Sequence, residues 1–386
     1  MNRKQFIILL ALVAVIGTAG LIVHQRSNNS WQSAEASIGQ KLLPNLAVND
    51  IAQITIQSGT NNLTLAKSDS LWRVRERGDY PANFSQISDL LMKFAGLKIE
   101  QSEEIGPSQF GRFQLLPPSP ATNTGTLVEF KDQGGKTLST LLLGKKHMAK
   151  PAADSQFGGM DSEGWPDGRY VMVGADAKSL AVISDTLDEV QPKPEQWLNK
   201  DFFSIEKPRS IAVQFPESTN SWKLIRASDT NDWHLADAGS DEKLDSTKIS
   251  SITSPFSSAS FGDVAQPAKS YNPANNTVLT VETLDGFTYV AKIGQKQNEN
   301  YPASFSISAN LPAERITAKD EKPDQKTRLD NEFKEQQGRL AEKLAREKRF
   351  ENWIYFLPAY SIDGLLKPRE QLLVEKQKEA SSQPAK

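Results

Sequence analysis

Apolar and polar residues begin to alternate at Ile51, and the alternation runs through Ile54-Thr55-Ile56, Leu63-Thr64-Leu65 and Trp72-Arg73-Val74. A period of two puts one face of each run into a core. With Ser58-Gly59-Thr60-Asn61-Asn62 as the turn, this predicts an antiparallel hairpin and a third strand. After Tyr80-Pro81-Ala82-Asn83 the period changes. Ile87, Leu90, Leu91, Phe94 and Leu97 recur at intervals of three and four, the stripe of a helix over residues 84–97. Leu127-Val128-Glu129-Phe130 and Leu138 to Leu143 flank Asp132-Gln133-Gly134-Gly135, which predicts a second hairpin. Residues 149–168, rich in glycine, read as a loop, Tyr170-Val171-Met172-Val173 as a strand and residues 179–187 as a short helix.

The same succession returns. Ile211-Ala212-Val213, Trp222-Lys223-Leu224 and Trp233-His234-Leu235 repeat the opening strands, residues 244–256 repeat the helical window, and a hairpin around Asp285-Gly286 repeats the one around Gly134-Gly135. Self-similarity at this scale predicts two tandem, internally duplicated α+β domains, each a mostly antiparallel sheet with helices on one face. The boundaries read as 50–204 and 205–374, with Trp72 and Trp233 in equivalent core positions. The second copy departs at residues 319–352. This stretch is dense in Lys, Arg, Glu and Gln and stands where the first copy has its loop before Tyr170. Leu329, Phe333, Leu340 and Leu344 give it one narrow apolar seam, the pattern of a solvated helix with a single contact stripe.

Ahead of the sheets, residues 6–23 form an uninterrupted apolar or small run. As a helix it would be about 27 Å long, near the roughly 30 Å of a bilayer's hydrocarbon core. Arg3 and Lys4 precede it, so residues 1–5 are expected in the cytoplasm and everything beyond Val23 outside. The run is longer than a signal-peptide core, and Ala34-Glu35-Ala36 lies far from its end, which favours a retained anchor over a cleaved leader. Polar residues 24–49 then read as a tether and residues 375–386 as a disordered tail.

Several of these phrases together resemble a bacterial family, the domain of unknown function 4340. They are the Ile-x-Ile hairpin before Trp72, Tyr80-Pro81-Ala82, the helix with Leu90-Leu91, Phe110-Gly111-Arg112-Phe113-Gln114-Leu115, the strand ending Leu143-Gly144, and the junction Gln196-Trp197-Leu198-Asn199-Lys200-Asp201. The resemblance covers about residues 50–310. It implies an accessory envelope role beside ABC-type transporters and carries over no catalytic residue. Phe110-Gly111 with a displaced Leu115 departs from the family's tyrosine-glycine-leucine phrase, and the charged insert is foreign to the pattern.

Composition narrows the chemistry. A net charge of -2 on 386 residues offers no basic face for nucleic acid. Absence of cysteine removes disulfides, thiolate metal sites and thiol nucleophiles. His24, His147 and His234 lack ligand spacing, with His234 expected on the exposed strand face, and Leu143-Gly144-Lys145-Lys146 lacks the glycine and hydroxyl of a phosphate loop. Glu103-Glu104 and Asp241-Glu242 fall in polar connections, where carboxylates stay solvated and ionised. No cofactor and no enzymatic activity are expected. Candidate partner-binding residues are the seam Leu329, Phe333, Leu340 and Leu344, which a structural insert would need equally, and Trp165 in its glycine-rich loop. The resulting expectation is a single-pass inner-membrane protein with periplasmic domains, binding or scaffolding within an envelope or transporter complex. Two other readings stay open: an envelope enzyme acting on glycans or lipids around Trp165, and a solute receptor using a cleft between the repeats.

Overall fold

The computed structural model describes residues 38–149, 164–174, 179–266, 275–317 and 321–375. The expected anchor at 6–23 and the tail beyond Glu375 lie outside them. Among the described residues no helix is long and apolar enough to cross a membrane. The chain divides into two α+β units, 1–199 and 200–386, five residues ahead of the boundary expected from sequence.

The first unit holds β1 (Gln53–Ser58), β2 (Asn61–Ser68), β3 (Leu71–Val74), β4 (Tyr80–Pro81), α1 (Phe84–Gly96), β5 (Gln101–Glu104), β6 (Thr126–Lys131), β7 (Thr137–Met148), β8 (Pro166–Val173) and β9 (Ser179–Ile183). Its antiparallel sheet runs β4-β3-β2-β1-β6-β7-β8-β9-β5. The alternation works as expected, with Ile54, Ile56, Leu63, Leu65, Val74, Val128 and Phe130 fully buried. Asn83 caps α1 by accepting the Gln86 N–H at 3.2 Å, and Ile87, Leu90, Leu91 and Phe94 face inward, with Phe94 edge-on to Phe130 at 5.1 Å.

A second, smaller core forms on the opposite face. Ile105, Leu115, Leu142, Met172, Leu180 and Val182 pack beneath the 3-10 segment Pro107–Phe113. Gly144 lies in that contact, and a Cβ there would collide with the Phe113 carbonyl and the Leu115 side chain. Gly144→Ala should therefore cost the first unit about 1–3 kcal/mol, measured by urea unfolding of the full chain.

The second unit holds β10 (Pro208–Gln214), β11 (Trp222–Ile225), β12 (His234–Leu235), α2 (Ser246–Ile249), β13 (Asp263–Ala265), β14 (Thr277–Thr283), β15 (Phe287–Ile293), β16 (Asn300–Ala309), α3 (Pro323–Glu347), β17 (Ile354–Pro358) and α4 (Ala359–Ile362). Its sheet runs β12-β11-β10-β14-β15-β16-β17-β13. This is the first unit's order without a partner for β4. Registers agree as well: Ile54↔Leu65↔Val74 corresponds to Ile211↔Leu224↔Leu235. Phe203, Phe256, Phe305, Tyr289 and Tyr355 supply an aromatic core.

Four sequence expectations need correction. Residues 179–183 form β9, not the start of a helix. Leu180, Ile183 and Leu187 have helical spacing, but Leu180 to Ile183 are buried consecutively because the strand sits between β8 and β5. With β9 in place, the position of the insert changes too. α3 lies between β16 and β17, the counterpart of the short β8–β9 connection and not of the loop before Tyr170, and β8 itself begins at Pro166 inside that loop. The helical window at 244–256 contains a single α-turn, α2. Finally, residues 38–49 of the expected tether belong to the first unit: Leu42 and Leu43 are buried, and the Leu42 N–H donates to Leu97 O at 2.8 Å.

Candidate functional site

The shared topology extends to matching contacts beyond the sheets, each within its own unit. Asn83 N–H donates to Trp197 O at 2.8 Å and Asn199 N–H to Pro81 O at 2.9 Å; Asp245 N–H donates to Leu372 O and Val374 N–H to Lys243 O, both at 2.9 Å. The bridges Ala82↔Leu198 and Leu244↔Leu373 match in the same way. Tyr80-Pro81-Ala82-Asn83 therefore corresponds to Glu242-Lys243-Leu244-Asp245. Along the helix that follows, Ile87, Leu91 and Phe94 correspond to Ile249, Thr253 and Phe256.

In the first unit this corner is closed. Gly78 and Asp79 adopt positive φ and return the chain, so that Tyr80 pairs with Val74 and Pro81 with Arg73. Trp72, Tyr80 and Leu91 are all buried. In the second unit it is open. The return after Leu235 is one residue longer, and Glu242-Lys243 stand off from β12 without pairing to it. Between them lies a groove of about 750 Å³, walled by Trp233, Leu235, Glu242, Leu244, Ile249 and Thr253. It continues past Trp233 into a second hollow of about 480 Å³ that shares Arg226, Trp233 and Thr253 with the first.

Two arginines hold this geometry. Arg369 donates to both oxygens of Glu242 at 3.0 and 2.6 Å and to Asp237 Oδ1 at 2.8 Å, fixing the outer wall; its carboxylate partners hold its pKa above the ordinary arginine value. Arg226 lies over the Trp233 indole at 4.8 Å and donates to Pro208 O, Asp229 O and Asp229 Oδ1. Trp233 thus occupies the position of Trp72 but is only half-buried, and His234 beside it is exposed as expected.

The residues singled out from sequence lie elsewhere. Leu329, Phe333, Leu340 and Leu344 do share one side of α3, each half-buried. Near its start Arg315 binds Glu321 and Asp330, and at its end the buried Glu347 accepts the Tyr289 hydroxyl at 2.7 Å. The helix is thus held near both ends by its own unit. Trp165 belongs to the first unit, is 64% exposed, and its carbonyl accepts the Ala149 N–H at 2.9 Å. Glu242, which its polar connection predicts to be a solvated carboxylate, forms a groove wall. Setting Tyr80-Pro81 against Glu242-Lys243 in the two copies would have exposed the substitution. Among the described residues no group of three or more His, Asp and Glu is arranged to hold a metal ion.

No curated protein and no solved structure matches the chain. A model of the domain of unknown function DUF4340 matches residues 72–276, which is more than half of the 386 residues and runs from Trp72 through the groove around Trp233. The chain therefore belongs to the DUF4340 family.

Proposed function

We propose that this is a membrane-anchored recognition protein of the bacterial cell envelope. Residues 6–23 hold it in the inner membrane. Its two modules, copies of one duplicated unit, stand in the periplasm as accessories of an envelope or transporter complex. The observation that carries the binding role is the groove at Trp233: a corner that the same fold closes with Tyr80 in one module is open in the other, with its wall fixed by Arg369. Such a concavity, aromatic on one side and lined by a few fixed polar groups, suits recognition. Membrane anchoring is supported by the length of the apolar run and the Arg3-Lys4 flank.

Two measurements test this reading. A phosphatase fused after Lys386 should be active outside the cytoplasm, and a photo-crosslinking residue replacing Thr253 should give a discrete adduct in intact cells that one replacing solvent-exposed Lys223 does not. A cytoplasmic fusion removes the anchored orientation, and identical crosslinking from both positions removes the groove.

A further inference from the structure

We infer that the groove takes in an extended peptide segment of a partner protein, which adds as a strand to the outer edge of β12 and seats an aromatic side chain where the first module seats Tyr80. The inference rests on the binding role of the groove and names its occupant.

The first module shows what fits this corner. There the chain supplies its own strand: Tyr80 and Pro81 pair with Val74 and Arg73, the Ala82 N–H donates to Trp72 O at 2.8 Å, and the Tyr80 side chain is buried. In the second module β12 ends the sheet, and among the described residues nothing donates to Trp233 O, the counterpart of Trp72 O. A strand edge beside an apolar hollow is a template for pairing with another chain. The segment that would close the hairpin is withheld. Arg369 clamps Asp237 and Glu242 together, so Glu242-Lys243 cannot fold onto β12 without breaking that clamp, and Glu242, the counterpart of Tyr80 in chain position, brings no ring of its own. Trp233, Ile249 and Thr253 remain as the floor on which an incoming ring would lie.

Charge narrows the occupant further. Residues 229–245 carry Asp229, Asp232, Asp237, Asp241, Glu242 and Asp245 against the single Lys243. The nearby cations Arg226, Lys248 and Arg369 are each already bound to one or two of these carboxylates. The field at the groove mouth is negative, which favours lysine or arginine on either side of the inserted aromatic.

A displayed library of random nonapeptides, selected on the full chain in detergent, tests the inference. The expected enrichment is a central aromatic residue with basic flanks. A selected peptide, resynthesised, should weaken about thirtyfold when its aromatic becomes alanine. It should weaken at least as much when alternate backbone nitrogens are methylated, because strand addition needs those donors. Thr253→Phe, which fills the floor, should abolish binding without moving the thermal midpoint, and Ser250→Phe serves if the first variant fails to fold. Unchanged binding of the methylated peptide overturns strand addition. Binding of chitohexaose, abolished by Thr253→Phe, with no peptide enriched, overturns the peptide occupant while leaving the groove a binding site. If neither ligand binds and the Thr253 crosslinker yields no discrete adduct, the binding role falls as well.

Discussion

Trp197→Ala is expected to destabilise the first module by about 3–5 kcal/mol, the range for removing a large buried aromatic side chain. The indole is completely buried and is the largest side chain with that degree of burial among the described residues. Its backbone joins the end of the module to the start of α1, since Trp197 O accepts the Asn83 N–H while the neighbouring Leu198 bridges to Ala82. Alanine would therefore leave a cavity next to the helix cap. Phenylalanine should behave differently. The indole Nε1 has no hydrogen-bond partner among the described residues, so a ring without that donor is relieved of an unmet polar group and should cost only about 1 kcal/mol. Hydrogen exchange read by segment checks both the size and the place of the effect: Trp197→Ala should accelerate exchange in residues 53–66 and 84–96 and leave residues 277–309 unchanged. Equal losses from alanine and phenylalanine would mean that the indole nitrogen finds a partner after all.

Trp197 also shows where sequence reading succeeds and where it stops. Its phrase, Gln196-Trp197-Leu198-Asn199, is legible as the junction between copies, yet nothing in a lone tryptophan among polar residues reveals that it closes the core of the preceding module. Strands with alternating apolar and polar residues were legible because one face carries the apolar side chains into the core, so β1, β2, β10 and β14 emerge directly from the period. β9 was not, because a strand buried on both sides has no polar face to mark its period. The duplication was visible in the repeated succession of strand and turn phrases, but its consequence was not. The groove arises from a hairpin that fails to close, and that depends on Arg369, more than a hundred residues away in sequence from Asp237 and Glu242. Sequence proximity carries no trace of such a contact. The seam of α3 was readable from periodicity, whereas its anchorage through Glu347 was hidden, since a glutamate in a charged helix normally faces water.

Glu347→Ala should cost the second module about 2–3 kcal/mol, and Glu347→Gln far less at neutral pH. Glu347 is 4% exposed and accepts the hydroxyl of Tyr289, itself buried, at 2.7 Å. Alanine leaves that hydroxyl without its acceptor in a site closed to water, a penalty of roughly 1–3 kcal/mol before the lost packing is added. The glutamine amide oxygen can accept the same bond. Burial drives the Glu347 carboxyl above its ordinary value, with Glu206 acting in the same direction, while the Tyr289 hydrogen bond and the positive charges of Lys343 and Arg346 oppose the shift. Because the folded module keeps this proton at pH values where the unfolded chain has released it, stability falls as pH rises from about 4.5, the ordinary value, through the folded pKa, and is level beyond it. Glutamine does not titrate, so the stability of Glu347→Gln relative to the natural protein should climb through that same interval and then level off. Urea unfolding of both proteins from about pH 4 to about pH 8 measures the difference directly. A difference that stays flat across the range would mean the carboxyl ionises as readily in the folded module as in the unfolded chain, the Tyr289 hydrogen bond and the charges of Lys343 and Arg346 offsetting its burial. A rising difference would instead show that burial at the end of this long helix holds the carboxyl above its ordinary pKa where it meets Tyr289 on the sheet, leaving the turns around Leu329 and Phe333 to be held by Arg315 and its two carboxylates.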